Sequence, residues 1–124
     1  MEHMRNSIMK SNAQVKGTGS LVLTTDKALR NKGWRGFKLT LNVNAVSGGN
    51  LSAQVNEYDD SGNVIKTWTT GNISSPGITI LEVHPALTTA GTVYNDILGF
   101  LFNAGYTLAN NATATFDCVL DLVP

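Results

Sequence analysis

Phe37-Lys38-Leu39-Thr40-Leu41-Asn42-Val43-Asn44, then Ser47-Gly48-Gly49-Asn50, then Leu51-Ser52-Ala53-Gln54-Val55-Asn56 is the stretch that decides the fold class. In each run apolar and polar residues alternate with a period of two, which puts one face of a strand in a core and the other in water. The small residues between them read as a tight turn, so the pair is expected to form an antiparallel hairpin. A second turn follows at Asp59-Asp60-Ser61-Gly62-Asn63, where Asp, Ser and Asn can bond their own backbone and Gly62 can adopt positive φ.

Working outward, Leu21–Thr25, Val64–Thr70 and Ile78–Val83 read as further strands, the last closed by His84-Pro85 because a residue before proline is pushed to extended geometry. Residues 86–95 show no regular pattern. The most apolar runs are Ile97–Leu108 and Ala112–Val123; in the second, Ala114, Phe116, Cys118, Leu120 and Leu122 share one face. Both read as central strands, and Gly99 and Gly105 argue against a helix in the first. Trp68 shares parity with Val64 and Lys66, opposite Ile65 and Thr67, so its face is not decided by pattern. The sum is an all-β fold, an antiparallel β-sandwich of about seven strands, with a barrel as the near alternative.

Residues 1–20 are polar and weakly patterned. They read as an extended N-terminal arm before a single sandwich domain at 21–124, either frayed or ordered only against a neighbouring subunit. In the second case the domain should stay folded without the arm. Ile8, Met9 and Val15, together with Trp34, are then the candidate assembly contacts.

The 124 residues suffice for one domain with its own core. Only 15% are charged, and nine basic residues balance nine acidic ones. No net field attracts nucleic acid or an anionic membrane, so a partner must be selected by shape. No run approaches the roughly 18 apolar residues of a membrane-spanning helix, and the N-terminus lacks a signal peptide's apolar region; synthesis in the cytoplasm is the expectation. Cys118 is the sole cysteine and lies on an apolar face, which reads as a buried inert thiol.

No constellation for chemistry emerges. His3 and His84 are the only histidines and cannot build a zinc site. Asp59, Asp60 and Glu57 do not match a calcium-binding loop, and Gly17-Thr18-Gly19 and Gly48-Gly49 match no phosphate-binding fingerprint. Asn72-Ile73-Ser74 and Asn111-Ala112-Thr113 fit the glycosylation pattern but read as turns. The expectation is a protein that is not an enzyme, with no catalytic residue, cofactor or metal. Trp34, Tyr58, Trp68, Tyr94 and Tyr106 admit a carbohydrate-binding alternative if their rings are exposed, and a core role if they are not.

The segment Gly36 to Gly49, continued by Leu51 to Gly62, resembles a recurrent family of tailed-phage virion proteins, in which a strand, a small-residue turn, a second strand and an acidic Asp-Gly turn follow in this order. Glu82-Val83-His84-Pro85-Ala86, Ile97–Ala104 and Thr113–Val123 resemble that family's closing strands. The resemblance implies a small non-enzymatic β-sandwich in the virion, a capsid decoration (cement) protein or a head-tail or tail component. Its partners would be the major capsid protein or another virion protein and copies of itself, as a trimer by analogy. A cement protein would stabilise the lattice by binding neighbouring subunits together.

Overall fold

The computed structural model describes residues 7–16, 19–22, 29–109 and 112–124, with the backbone alone up to residue 29. All regular structure among them is β: β1 (Ser7–Lys16), β2 (Gly19–Val22), β3 (Leu29–Arg30), β4 (Gly36–Ser47), β5 (Asn50–Tyr58), β6 (Val64–Thr69), β7 (Gly77–Val83), β8 (Val93–Tyr94), β9 (Leu101–Ala109) and β10 (Thr113–Val123). They form two sheets, the first in the order β1-β10-β4-β7-β8 and the second β2-β9-β5-β6, with β3 also paired to β9. All pairings are antiparallel except the two-residue contact of β8 with β7.

Without the short strands β3 and β8, two four-stranded sheets remain, β1-β10-β4-β7 and β2-β9-β5-β6. This order is that of a jelly roll, the eight-stranded sandwich built from two Greek keys. The expected antiparallel sandwich is therefore present, in this specific topology.

The core follows the alternation. Phe37, Leu39, Leu41 and Val43 of β4 and Ala114, Phe116, Cys118, Leu120 and Leu122 of β10 face Leu51, Ala53 and Val55 of β5 and Phe102, Ala104, Tyr106 and Leu108 of β9, all buried. Phe116 meets Tyr106 edge-on across the sandwich, and Phe37 meets Trp68 in the same way, with ring centroids 5.0 and 5.5 Å apart. Such pairs add to the area they bury.

Several sequence readings change. β4 and β5 do not pair: β4 lies between β10 and β7, and β5 between β9 and β6. The turn at residues 47–50 carries the chain from one sheet to the other. Two amphipathic strands joined by a tight turn look alike whether they pair or cross the core. The true hairpin is β5–β6, closed at Asp59–Asn63, where Gly62 has φ of 86°.

The run from Ile97 begins as a loop, and β9 starts at Leu101. In the stretch read as irregular, Val93–Tyr94 adds a short strand beside β7. Within the segment read as an arm, β1 pairs along β10 from Ser7 opposite Asp121 to Lys16 opposite Thr113. Its polar composition suits an edge strand, which has one neighbour only. The reading of Leu21–Thr25 as a strand holds as Gly19–Val22; its last residues lie outside the described residues.

Tyr106 carries an unusual cost. It is buried on the inner face of β9, and its hydroxyl has no hydrogen-bond partner among the described residues; burial raises its pKa. An unsatisfied buried hydroxyl costs about 1–3 kcal/mol, whereas a ring without it costs nothing of the kind. Tyr106→Phe should therefore stabilise the protein by about 1 kcal/mol in chemical denaturation. A loss of stability would show that the hydroxyl is bonded in solution.

Candidate interaction surfaces

The end of the sandwich formed by the β5–β6 hairpin and the β8–β9 loop is built by polar groups, of which the sequence pointed only to Glu57, and then as a companion of Asp59 and Asp60. Glu57 falls on the inward parity of β5, after Leu51, Ala53 and Val55, and is one of the few buried polar residues. Its carboxylate accepts the Gly99 N–H at 2.9 Å. A side chain at Gly99 would collide with that carboxylate, since an added Cβ would lie 2.3 Å from its carbon. A side chain here would have to push the Glu57 carboxylate off the Gly99 N–H, so glycine is what lets the two meet.

Asn31 grips the same loop from the other side. Its Nδ2 donates to the carbonyls of Trp34, Leu98 and Gly99, and its Oδ1 accepts the Trp34 N–H at 2.7 Å. Asp96 makes the third attachment: it accepts from Lys66 Nζ at 3.1 Å and from the Ile97 N–H at 2.8 Å. Burial alone would raise the Asp96 carboxyl, but hydrogen bonds from Ile97, Lys66 and the Trp68 indole, with the Lys66 charge, hold it below the ordinary 3.8. Lys66 also lies 5.3 Å from the centre of the Trp68 ring. An inward-set lysine on an edge strand such as β6 discourages a foreign strand from adding there.

The sign of the pH dependence follows. Because the folded Asp96 pKa is depressed, its contribution is full above the unfolded value and is lost as pH falls through the folded one, below 3.8. Asp96→Asn should thus lower the melting temperature at pH 7 and leave a smaller difference from wild type at pH 2.5–3. An equal difference at both pH values would sink this role for Asp96.

The clamped loop displays apolar side chains. Ile97 and Phe100 are 51% and 57% exposed, and Val64 and Ile65, at the start of β6, are similarly open. Val64 and Leu101 both stand opposite Tyr58, which brings these groups to one end of the molecule. The Arg30 guanidinium lies 6.0 Å from the centre of the Phe100 ring.

The outer faces of the two sheets differ in charge. The first carries Lys38, Glu82, Asp117 and Asp121, at positions paired in register or on the same parity. The second carries Ser52, Gln54, Asn56 and Tyr58 of β5, Asn103 and Thr107 of β9, and Thr67 and Thr69 of β6; its charged side chain among the described residues is Arg30 of β3, opposite Leu101 at the Tyr58 end. Three hydrogen bonds organise it: Thr67 Oγ1 donates to Asn56 Oδ1 at 2.9 Å, and Asn103 Oδ1 accepts from Tyr58 OH at 3.0 Å and from Asn56 Nδ2 at 3.4 Å.

The residues expected to form an assembly contact are not gathered in one place. Ile8 pairs opposite Leu120, Met9 opposite Val119 and Val15 opposite Ala114, spread along one strand of the same chain. Their side chains lie outside the described residues. Trp34 is partly buried and packs against the core. Trp68 and Tyr106 are core residues and are not available for stacking on a sugar, whereas Tyr58 and Tyr94 are half-exposed.

Of the other residues weighed for chemistry, Asp59, His84 and Cys118 have structural surroundings, and His3 lies outside the described residues. Asp59 closes its hairpin: Oδ1 accepts the N–H groups of Ser61 and Asn63, and Oδ2 accepts from Asn63 Nδ2. These bonds, the backbone one from Asn63 first, hold its carboxyl below the usual range. His84 Nδ1 accepts the Ala86 N–H, which leaves its proton on Nε2 to donate to the Pro124 carbonyl at 3.0 Å. Burial pushes the Cys118 thiol up to about 12, so it is not a thiolate at neutral pH.

No family model and no curated protein matches the sequence. Among solved structures, the fold is similar to a chain in the structure of infectious bursal disease virus, Gx strain. The TM-score is 0.53 at 8% identity, over 98% of this chain and 32% of that one. This chain thus spans about a third of that chain's length. At this identity the likeness is one of fold.

Proposed function

We propose that this chain is a non-enzymatic structural protein of a virus particle, a tailed-phage decoration protein that binds and stabilises the lattice of the major capsid protein. A head-tail or tail position is the variant of the same reading. The observation that carries it is the clamped loop: Asn31, Glu57 and Asp96 hold Ile97 and Phe100 in a defined, solvent-facing position. Holding large apolar groups in water is unfavourable for an isolated domain, and such displays mark protein contacts. The jelly-roll order and the fold likeness to a chain of a virus structure support a particle component. So does the sequence resemblance to phage virion proteins.

In this reading the partner is the capsid surface and the location is the outside of the particle. The protein acts as an oligomer, a trimer by analogy, made in the host cytoplasm. Purified protein added to particles lacking it should co-sediment with them and raise the temperature at which they open. Ile97→Ser with Phe100→Ser should remain folded yet co-sediment far less. Failure of the intact protein to bind such particles would reject the decoration role, and undiminished binding by the double variant would reject this end as the contact.

A further inference from the structure

The polar outer face of the second sheet begins at Tyr58, beside the apolar end loop, and runs away from it to Ser52, and that loop does not explain it. Two features distinguish it from an ordinary wet sheet face. Most of the described strand-borne charges of the outer surface lie on the opposite sheet, at Lys38, Glu82, Asp117 and Asp121, and only Arg30 of β3 stands on this one, at the end next to Leu101. Here, by contrast, amides and hydroxyls run across three strands: Thr67 and Thr69, then Gln54 and Asn56, then Asn103 and Thr107.

These groups are already ordered. Asn103 is 5% exposed, and its Oδ1 accepts from both Asn56 and Tyr58. Because the Tyr58 hydroxyl reaches an asparagine on the neighbouring strand, its ring must run along the sheet surface instead of standing away from it. Half-exposed, it offers one side to a ligand.

We propose that this face, from Tyr58 to Ser52, binds a neutral oligosaccharide. Sugar hydroxyls both donate and accept, as do the amide and hydroxyl side chains that line the face. A neutral ligand would gain nothing from nearby ions and would have to displace their hydration. The Tyr58 ring supplies a surface for the C–H side of a sugar ring. The open sheet suits a chain lying across the strands, not a single sugar held in a cavity.

The test is an amide-resolved NMR titration of the full chain with cellohexaose, maltohexaose and chitohexaose, and with a heparin hexasaccharide as the anionic control. At least one neutral sugar should shift resonances at Gln54, Asn56, Tyr58, Thr67 and Asn103, with the face around Lys38 and Glu82 unmoved. Gln54→Ala with Thr69→Ala changes only surface groups; it should retain the native spectrum and bind about tenfold more weakly, equivalent to about 1.4 kcal/mol. Tyr58→Phe should bind more tightly than Tyr58→Ala. No shift with any neutral sugar, shifts on the opposite face, or shifts from heparin alone would overturn the proposal. So would burial of this face by a protein in the particle. The co-sedimentation test does not depend on any of these outcomes.

Discussion

Phe116→Ala should destabilise the protein by about 3–5 kcal/mol, the range for removing a fully buried aromatic side chain. Phe116 is 0% exposed and lies near the middle of β10, which is itself paired on both sides by β1 and β4. Across the core it abuts Tyr106 edge-on. The variant would lose the transfer energy of the ring, the edge contact, and the packing around the space left behind. Relaxation is restricted because the neighbours belong to two sheets held in register. Against a typical total of about 5–15 kcal/mol this is a large fraction. Phe100→Ala is the matched control: at 57% exposure its change should stay within about 0.5 kcal/mol. Equilibrium denaturation of both variants measures the contrast, and a small loss at Phe116 would mean that β10 presents its other face to the core.

Removal of residues 1–16 should be the second large effect. A dispensable arm could be cut without unfolding the domain. β1, however, makes a register of paired positions along β10. Its deletion would turn β10, whose Ala114, Phe116, Cys118 and Leu120 are at most 2% exposed, from a central strand into an edge. Each lost backbone hydrogen bond is worth about 1 kcal/mol net. The entropy regained by residues no longer ordered offsets part of this. The newly exposed flank of an apolar strand adds to the loss, and an open edge invites association with other chains. The truncated protein should melt well below the intact one, or aggregate. A truncated protein with an unchanged melting temperature would show that the segment is an arm with no part in the fold's stability.

The two experiments separate kinds of information that the chain carries differently. That Phe116, Leu39 and Val55 are inside was legible, because a period of two is a local property and the hydrophobic effect acts on it wherever the strand is placed. The edge status of β1 was not legible. A strand with one neighbour needs little apolar content, and by composition it resembles a terminus. The clamp was half visible: an acid at position 57 breaks the apolar parity of β5, which marks it as special, but nothing near it in sequence points to Gly99.

By itself, the sequence determined the all-β class, the inward faces of β4, β5 and β10, the turns at residues 47–50 and 59–63, and the buried state of Cys118. These depend on neighbours a few positions apart, whose energies do not require knowledge of partners. Only the tertiary structure decided which strands pair. It sent β4 and β5 to different sheets, placed β1 beside β10, buried Trp68, and put Lys38, Glu82, Asp117 and Asp121 together on one outer face. Strand pairing is a choice among distant segments with similar alternation, and it is set by the collective burial of both sheets, which no single segment encodes.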